Sequence, residues 1–376
     1  MLGPSRTPGI TDHVHPKSRP LTRVELHVHL DGSLRAETIW ELSVAKKLKL
    51  PGRGTFQDLQ EYLVLKKPED LGSFLARFGV ILASVKGDLK ALERIAYEFV
   101  EDSATAGIAY SEARFCPHLC IPDDVVQRQI KEGNSEETKT WTWNVTDALI
   151  KGLTRGEKDF GTKVNLVATV IRGFSTLWYE ETIELVADTS FHHGRIIAID
   201  IAAIASTADE KHMLEKEAVD IFDQAAKLGI RRTVHAGESG PAAQVEYALD
   251  TLHAERIGHG YRIHNDKKVY DRVKTSQVHL ECCPWSSLLT GSISPFEIPH
   301  PIVKFFEDGF NVSINTDDPT VTGTTIDDEY RLLRKWGLCD AHFVRGNFNA
   351  ARSSFLPENE KADLIQRIGK AYGFVV

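Results

Sequence analysis

The feature that most constrains the fold is a series of eight short β-rich runs that alternate with helical stretches along the chain. Such alternation is typical of parallel strands joined by helical crossovers, and eight of these units close a barrel. The sequence therefore predicts an α/β fold, a (β/α)8 TIM barrel with extra helices after strand 1. The runs cover residues 24–30, 108–115, 164–171, 196–201, 232–235, 256–259, 278–282 and 310–315.

Helical patterns fill several of the intervals between the runs. Residues 91–106 carry apolar side chains at the spacing of an amphipathic helix. Residues 215–228, which stop at Gly229, and residues 359–372 also predict helices. The polar segment 123–161 predicts instead a surface loop that leads into a helix.

The composition indicates one globular domain. The chain has 376 residues, of which 42% are hydrophobic and 26% charged, a balance that can bury a large core. No linker divides it, so we expect a flexible leader over residues 1–22 and a single domain over residues 23–376. The leader lacks the apolar segment of a secretory signal, and no stretch reaches the about 20 apolar residues of a membrane helix. We therefore expect a cytoplasmic protein without a membrane partner.

Charge and cysteine usage narrow the function further. The formal net charge is -8, whereas nucleic-acid-binding proteins usually present a basic surface, so we expect a small ligand and no nucleic acid. An odd number of cysteines, two of them adjacent, argues against a disulfide framework and predicts buried free thiols. The C-x-x-x-C spacing of one pair is a weak metal-site signal. The cysteines are Cys116, Cys120, Cys282, Cys283 and Cys339.

The strongest local signal for chemistry is His27-Val28-His29 inside the first run. Residues i and i+2 of a strand point to the same face, so both imidazoles project together into the predicted barrel. Imidazole nitrogens are favoured zinc ligands, although two hydrogen-bonded buried histidines are the alternative. The same tripeptide at His13-Val14-His15 lies in the Pro-rich leader, where no strand orients the rings, and we expect no function there.

Further polar residues follow the ends of later runs. The fifth run leads into His235 and Glu238, the sixth ends at His259, and the eighth leads into Asp317-Asp318. An Asp-Asp-Pro sequence alone more often caps a turn or helix, but barrel enzymes collect their catalytic groups at the carboxyl ends of different strands. Several imidazoles and carboxylates together therefore indicate a metal-dependent hydrolytic site.

The charge of this set suits one divalent ion. Three neutral imidazoles and one carboxylate leave a coordination position for a water, whose pKa the metal lowers toward about 7. Glu238 could shuttle a proton, and the second aspartate could accept hydrogen bonds. His259 could bind the metal or orient the hydroxide. No lysine follows the fourth run to bridge a second ion, so we expect one metal.

At this point the chain resembles the adenosine deaminase family from about Val24 onward. Several segments match the family in order, which makes the resemblance specific. They are VELHVHLDGS at 24–33, TVHAGE at 233–238, ERIGHG at 255–260, CPWSSLLTG at 283–291, SINTDDP at 313–319 and SSFLP at 353–357.

The resemblance implies a catalytic centre with one zinc ion per chain, bound by His27, His29, His235 and Asp317. Glu238 would protonate purine N1 and make C6 electrophilic. His259 would orient and stabilise the attacking hydroxide. Asp318 would form a hydrogen bond with that hydroxide or with purine N7. The reaction would convert adenosine to inosine, and 2'-deoxyadenosine to 2'-deoxyinosine, with release of ammonia, in purine salvage.

The resemblance also implies residues that contact the substrate. Asp31 would hold the ribose 5'-hydroxyl, Ala203 would offer its backbone N–H to purine N3, and His29 would face the nucleoside beside the metal. An apolar lid would be formed by Leu71, Phe74, Leu75 and Phe78, although their spacing is also ordinary for a helix packed on a core. Family analogy implies a monomer.

One residue departs from the family pattern. Ala203 stands where the family usually has glycine, which adds a methyl group close to the expected purine edge. A deaminase of adenine, AMP or N6-methyl-AMP is therefore the nearest alternative. Asp31 would repel a 5'-phosphate, and the N6-methyl-AMP relatives tend to carry asparagine there. A non-catalytic nucleoside-binding or cell-surface protein is the other alternative, but its decay should have removed a ligand or Glu238.

Overall fold

A barrel of eight parallel strands organises the structure, a computed structural model that describes residues 20–133, 136–203 and 216–374. The strands pair in sequence order, which confirms the predicted α/β (β/α)8 barrel. Their bounds are β1 Arg23–His29, β2 Ile108–Phe115, β3 Lys163–Ile171, β4 Ile196–Ala202, β5 Arg231–Ala236, β6 Arg256–His259, β7 His279–Cys282 and β8 Val312–Ile314.

The last strand meets the first at the carboxyl end of the barrel. The amide of His29 donates to the carbonyl oxygen of Asp317 at 2.8 Å, and the amide of Asp317 donates to the carbonyl oxygen of His27 at 3.1 Å. Deeper in the barrel the amide of Leu26 donates to the side-chain oxygen of Asn315 at 2.9 Å. The closure of the barrel therefore brings the His-x-His strand directly against Asp317.

Helices surround the strands and fill the long connection between β1 and β2. Short 3-10 helices also occur at Pro117–Cys120 and Tyr261–Asn265. The α-helices are α1 Ala36–Ala45, α2 Phe56–Leu63, α3 Leu71–Leu75, α4 Phe78–Val85, α5 Leu89–Thr105, α6 Asp123–Glu132, α7 Glu136–Phe160, α8 Thr176–Ala187, α9 Thr189–His192, α10 Lys216–Lys227, α11 Ala243–Asp250, α12 Lys267–Ser276, α13 Pro284–Leu289, α14 Pro301–Glu307, α15 Pro319–Thr322, α16 Ile326–Lys335, α17 Asp340–Ser353 and α18 Glu358–Ala371.

The predicted extra helices after strand 1 are α1 to α4, and they are fastened to the carboxyl end of the barrel. The amide of Leu65 donates to the carbonyl oxygen of Val321, which follows β8, at 2.9 Å. The amide of Glu69 donates to the carbonyl oxygen of Leu289, which follows β7, also at 2.9 Å. These two bonds hold the segment that leads into α3 over the end of the barrel.

The expectation of a surface loop at the start of segment 123–161 was wrong. This segment forms α6 and the 25-residue helix α7. The buried face of α7 includes Thr138, Thr142 and Gly152 beside Leu149 and Leu153. Threonine and glycine on a buried face weaken the apolar periodicity that sequence patterns detect, so the helix reads as polar.

The other helix predictions are confirmed to within about two residues at each end. They correspond to α5, α10 and α18, although residue 215 lies outside the described part. His13-Val14-His15 and residues 1–19 of the predicted leader also lie outside it. Among the described residues, no helix has both the length and the apolarity needed to cross a membrane.

The cysteine thiols are free, as expected, but one of them is not buried. Cys116, Cys120, Cys282 and Cys283 are buried, whereas Cys339 is exposed at the start of α17. Within the described residues, the groups able to hold a metal include neither Cys116 nor Cys120. The weak metal signal of that pair is therefore not supported.

Gly152 allows a close approach of α7 to α5, and we predict that Gly152→Ala destabilises the fold. An added Cβ would lie 2.1 Å from the backbone oxygen of Glu93. Such overpacking should lower the free energy of unfolding by about 1–3 kcal/mol in chemical denaturation. Gly79→Ala in α4 is the matched control, because nothing lies within 4 Å of its Cβ. Equal stability of the two variants would contradict the prediction.

Candidate functional site

A buried cluster of charges fills the barrel interior beneath the site. Arg114 on β2 is fully buried and its Nε lies 3.0 Å from Oδ2 of Asp200 on β4. Its Nη2 pairs with Glu281 on β7, and its Nη1 donates to the backbone oxygen of Leu26. Arg256 on β6 adds a second cation 2.7 Å from Glu281. Burial alone would raise the pKa of Glu281, but the two guanidinium groups hold it well below its usual range.

The two buried carboxylates orient two of the site histidines. Oε2 of Glu281 lies 3.0 Å from Nδ1 of His27, and Oδ2 of Asp200 lies 2.9 Å from Nδ1 of His235. A carboxylate on Nδ1 fixes the tautomer that leaves Nε2 free to act as a ligand. The charge cluster therefore determines which nitrogen each ring presents at the carboxyl end of the barrel.

Four predicted ligands converge above this cluster. Nε2 of His27 lies 3.3 Å and Nε2 of His29 lies 3.5 Å from Oδ1 of Asp317. Nε2 of His29 lies 3.3 Å from Nε2 of His235. Ligand atoms about 2.0–2.1 Å from a tetrahedral zinc are about 3.3 Å apart, which matches these separations. Nε2 of His27 is buried without a hydrogen-bond partner. The set thus fits a divalent metal ion.

Burial keeps most of these imidazoles neutral. It lowers the pKa of His235, and it lowers the pKa of His29 and His259 well below the usual range. At His27 burial and the charge of Arg114 also act to lower the pKa, but the adjacent carboxylates of Asp317 and Glu281 outweigh them and raise the pKa. Neutral imidazole is the form that binds a metal.

Glu238 and His259 lie beside the four converging side chains. Nε2 of His259 is 3.8 Å from Oε2 of Glu238 and 3.8 Å from Oδ2 of Asp317. Burial, together with the charge of Asp317, raises the pKa of Glu238 to about 8. A carboxyl group in this state is protonated at neutral pH and can donate a proton. The pair therefore provides a neutral acid next to a neutral imidazole.

Asp318 and Asp31 are buried carboxyl groups on the opposite margin. Oδ1 of each is buried without a hydrogen-bond partner. Asp318 packs over Gly32, where a Cβ would lie 1.8 Å from its Oδ1, so only glycine fits at that position. Burial, followed by the charge of Asp317, raises the pKa of Asp318 well above its usual value. Burial raises the pKa of Asp31 to about 7. Both groups offer polar atoms to a ligand.

The remaining predicted residues lie after β4 and on the helices α3 and α4, at the carboxyl end of the barrel. Ala203 follows β4 with φ +78°, a left-handed conformation that costs a residue other than glycine roughly 1–2 kcal/mol. Leu71 and Phe74 lie on α3, whereas Phe78 begins α4. Phe74 is buried in the main core, and Leu71 and Phe78 are half-buried. The residues predicted to form the lid therefore lie on two short helices.

Sequence patterns missed the residues that support the site from below. Arg114 and Glu281 are charged residues within strands whose neighbours are buried. A charge inside an otherwise buried strand is the signal that could have found them, because buried charges are retained only with partners. Asp200 carried the same signal. Arg172, which directly follows β3, also lies near the site, but no pattern in the sequence pointed to it.

Comparison with known proteins decides the family. The profile of the adenosine deaminase family matches residues 22–371. An adenosine deaminase of Xenopus tropicalis is 40% identical over 355 residues, which cover 94% of this chain and 96% of that protein. The chain belongs to the adenosine deaminase family.

Solved structures share the fold of this adenosine deaminase family member. An adenine deaminase from Arthrobacter aurescens has a TM-score of 0.78 and 26% identity, covering 94% of this chain and 99% of its own. An amidohydrolase from Burkholderia ambifaria with bound zinc has a TM-score of 0.75 and 22% identity, covering 97% and 95%. The second likeness concerns the fold alone.

Arg114 neutralises two buried carboxylates, and we predict that Arg114→Met destabilises the protein strongly. Loss of this cation removes a charge partner from the buried Asp200 and Glu281, which should lower the free energy of unfolding by about 3–5 kcal/mol. Arg128→Met is the control, because Arg128 forms exposed ion pairs with Asp124 and Glu137. Denaturant unfolding should separate the two variants, and a loss no larger than that of Arg128→Met would argue against the buried cluster.

Proposed function

We propose that this chain catalyses the hydrolytic deamination of adenosine to inosine, and of 2'-deoxyadenosine to 2'-deoxyinosine, with release of ammonia, in purine salvage. The observation that carries the proposal is the convergence of three imidazoles and Asp317 next to the protonated Glu238. Membership of the adenosine deaminase family supports the choice of substrate. The protein is thus proposed to be a hydrolase acting on the C6-amino group.

We propose one zinc ion per chain, held by His27, His29, His235 and Asp317. The fit of the ligand separations to tetrahedral geometry supports zinc over the larger oxygen-loving cations. The bound metal in the Burkholderia amidohydrolase is zinc. When bound, the ion supplies Lewis-acid polarisation that lowers the pKa of a water molecule toward about 7.

Three residues of the chain carry the proton movements in this proposal. Glu238, protonated because it is buried, donates its proton to purine N1 and makes C6 electrophilic. His259, neutral and 3.8 Å from Glu238, orients the attacking water and takes up its proton. Asp318 accepts a hydrogen bond from that water, or its protonated carboxyl group donates one to purine N7. Water adds to C6, the proton taken up by His259 passes to the amino nitrogen, and the C6–nitrogen bond breaks with release of ammonia. The remaining hydroxyl proton returns to Glu238 as the C6 carbonyl group forms.

The substrate is proposed to lie between Asp31, Ala203 and the two lid helices. Asp31 holds the ribose 5'-hydroxyl, and its buried carboxyl has an oxygen without a partner to do so. Ala203 offers its backbone N–H to purine N3, and His29 borders the nucleoside. The lid is completed by the side chains of Leu71, Phe74 and Phe78, which exclude water from the reacting carbon.

We also propose that the protein acts as a monomer in the cytoplasm. The five cysteines are free thiols, as is typical of a reducing compartment.

Deamination of free adenine is the second candidate, favoured by the adenine deaminase structure with a TM-score of 0.78. That protein is 26% identical to this chain, whereas the Xenopus adenosine deaminase is 40% identical. Adenine has no ribose, so an adenine deaminase needs no partner for a 5'-hydroxyl. The buried Asp31 therefore favours adenosine.

The proposal predicts zinc-dependent conversion of adenosine to inosine by the purified protein. A continuous ultraviolet assay should record turnover that a zinc chelator removes and added zinc restores. Glu238→Gln should lower kcat by about 100-fold or more, because the amide cannot give up a proton. Metal analysis should still find one zinc per chain in that variant, since Glu238 is not a proposed ligand. Absence of turnover by folded, zinc-loaded protein would end the assignment to adenosine.

Asp31→Ala should separate adenosine from adenine as the preferred substrate. Loss of a buried hydrogen bond to the 5'-hydroxyl should reduce kcat/KM for adenosine by about 10- to 100-fold, corresponding to roughly 1.5–3 kcal/mol. Turnover of adenine should change little, since adenine lacks the hydroxyl. Asp31→Asn is the matched control, because it keeps an acceptor oxygen and should retain more activity on adenosine. A higher kcat/KM of the wild-type protein for adenine would select the second candidate.

A further inference from the structure

The carboxyl ends of β4 and β5 are not joined by their backbones. The β4–β5 ladder pairs Ala198 with Arg231 and Ile199 with Arg232. Both strands run on past these pairs, β4 to Ala202 and β5 to Ala236. On the outer sides the pairing continues, with Ile171 of β3 opposite Ala202 and His259 of β6 opposite Ala236. An opening between two strand ends therefore lies directly at the site.

Two side chains cross this opening. Asp200 reaches from β4 to Nδ1 of His235 at 2.9 Å, inside the barrel. Arg172 reaches over both strand ends from the end of β3: its Nη1 donates to the backbone oxygen of Ala203 at 2.9 Å and its Nη2 to that of His235 at 2.6 Å. The amide of Arg172 also donates to the carbonyl oxygen of Ala202 at 3.1 Å. One residue thus connects the ends of β3, β4 and β5.

The two carbonyl groups that Arg172 binds belong to Ala203, which is proposed to contact the purine, and to His235, which is followed by Glu238. Ala203 holds its left-handed conformation without the freedom of glycine, so a fixed carbonyl helps to keep its peptide in place. His235 begins the segment that carries Glu238. On the β6 side this segment is held by backbone bonds, since Gly260 and Arg262 donate their amides to Ala236 and Gly237. On the β4 side it has Arg172 and Asp200.

We propose that Arg172 is a positioning residue whose guanidinium group holds Ala203 and the Glu238 segment in register across the β4–β5 opening, so that both meet the same purine edge. The inference rests on the function proposed above. Arginine suits the task because its planar group presents two parallel donors at a fixed spacing, which a lysine ammonium cannot do.

The test compares Arg172→Met and Arg172→Lys with the wild-type protein by steady-state kinetics on adenosine. Removal of both donors should reduce kcat/KM about 100-fold, with KM raised and kcat lowered together, because small displacements of positioned groups carry that cost. Arg172→Lys should recover part of the loss. Zinc content should stay at one per chain, since Arg172 binds the backbone of His235 and not its imidazole.

Arg195→Met is the matched control. Arg195 is also half-buried and two-pronged, but it lies before β4 at the opposite end of the barrel, where its Nη1 meets Glu157 at 2.6 Å and the oxygen of Val164 at 3.0 Å. Arg195→Met should lower the melting temperature while leaving kcat/KM within about twofold of wild type. A loss of activity in Arg172→Met no greater than in this control would reduce Arg172 to a structural residue.

A ligand without purine N3 provides the decisive readout. The inhibition constant of 3-deazaadenosine, measured against adenosine, should rise less in Arg172→Met than the KM for adenosine, because this ligand keeps the contact with Glu238 but cannot use the Ala203 N–H. The KM for adenosine should rise at least tenfold in the same variant. Equal weakening of both ligands would overturn the proposal. Wild-type turnover of adenosine separately tests the proposed function, so the two failures are distinguishable. If Arg172→Met does not fold, Arg172→Lys gives the same comparison.

Discussion

The structure of the site depends on the pairing of Arg114 with two carboxylates inside the barrel. Asp200 and Glu281 come from strands on different sides of the barrel, and each turns one histidine so that Nε2 faces the centre. Without a cation among them these carboxylates would take up protons, because burial disfavours their charge. Protonated carboxyls would hold the imidazole tautomers less firmly. The metal-type geometry at the carboxyl end is therefore set by charge neutralisation below it.

The site also depends on the closure of the barrel between its first and last strands. His27 and His29 lie on the first strand and Asp317 follows the last, so these residues are neighbours only because β1 and β8 meet. Two backbone hydrogen bonds at this junction fix the strand that carries both imidazoles against the residue that carries the carboxylate. Packing and chemistry share the same contacts here, which makes the site as rigid as the barrel.

The buried carboxyl groups of the site differ in their pKa values, and this difference separates their chemical roles. Arg114 and Arg256 hold the pKa of Glu281 low, whereas at Glu238 and Asp318 burial and the charge of Asp317 outweigh the nearby arginines and raise the pKa. A protonated and an ionised carboxyl can therefore coexist within one buried site, the arrangement that acid catalysis at neutral pH requires. At the β4–β5 opening, side chains rather than the ladder hold two strand ends together.

The local hydrophobic pattern of each βα unit was enough to predict the barrel, and the sequence also predicted the motif residues at the strand ends. His27, His29, His235 and Asp317 were predictable because chemistry restricts residue type. Thr138, Thr142 and Gly152 concealed α7, since its buried face is not apolar. Only the tertiary structure decided that Arg114, Asp200 and Glu281 form one cluster, and that Arg172 connects β4 with β5. Those contacts join strands far apart in sequence, and no local pattern records which distant partner neutralises a buried charge.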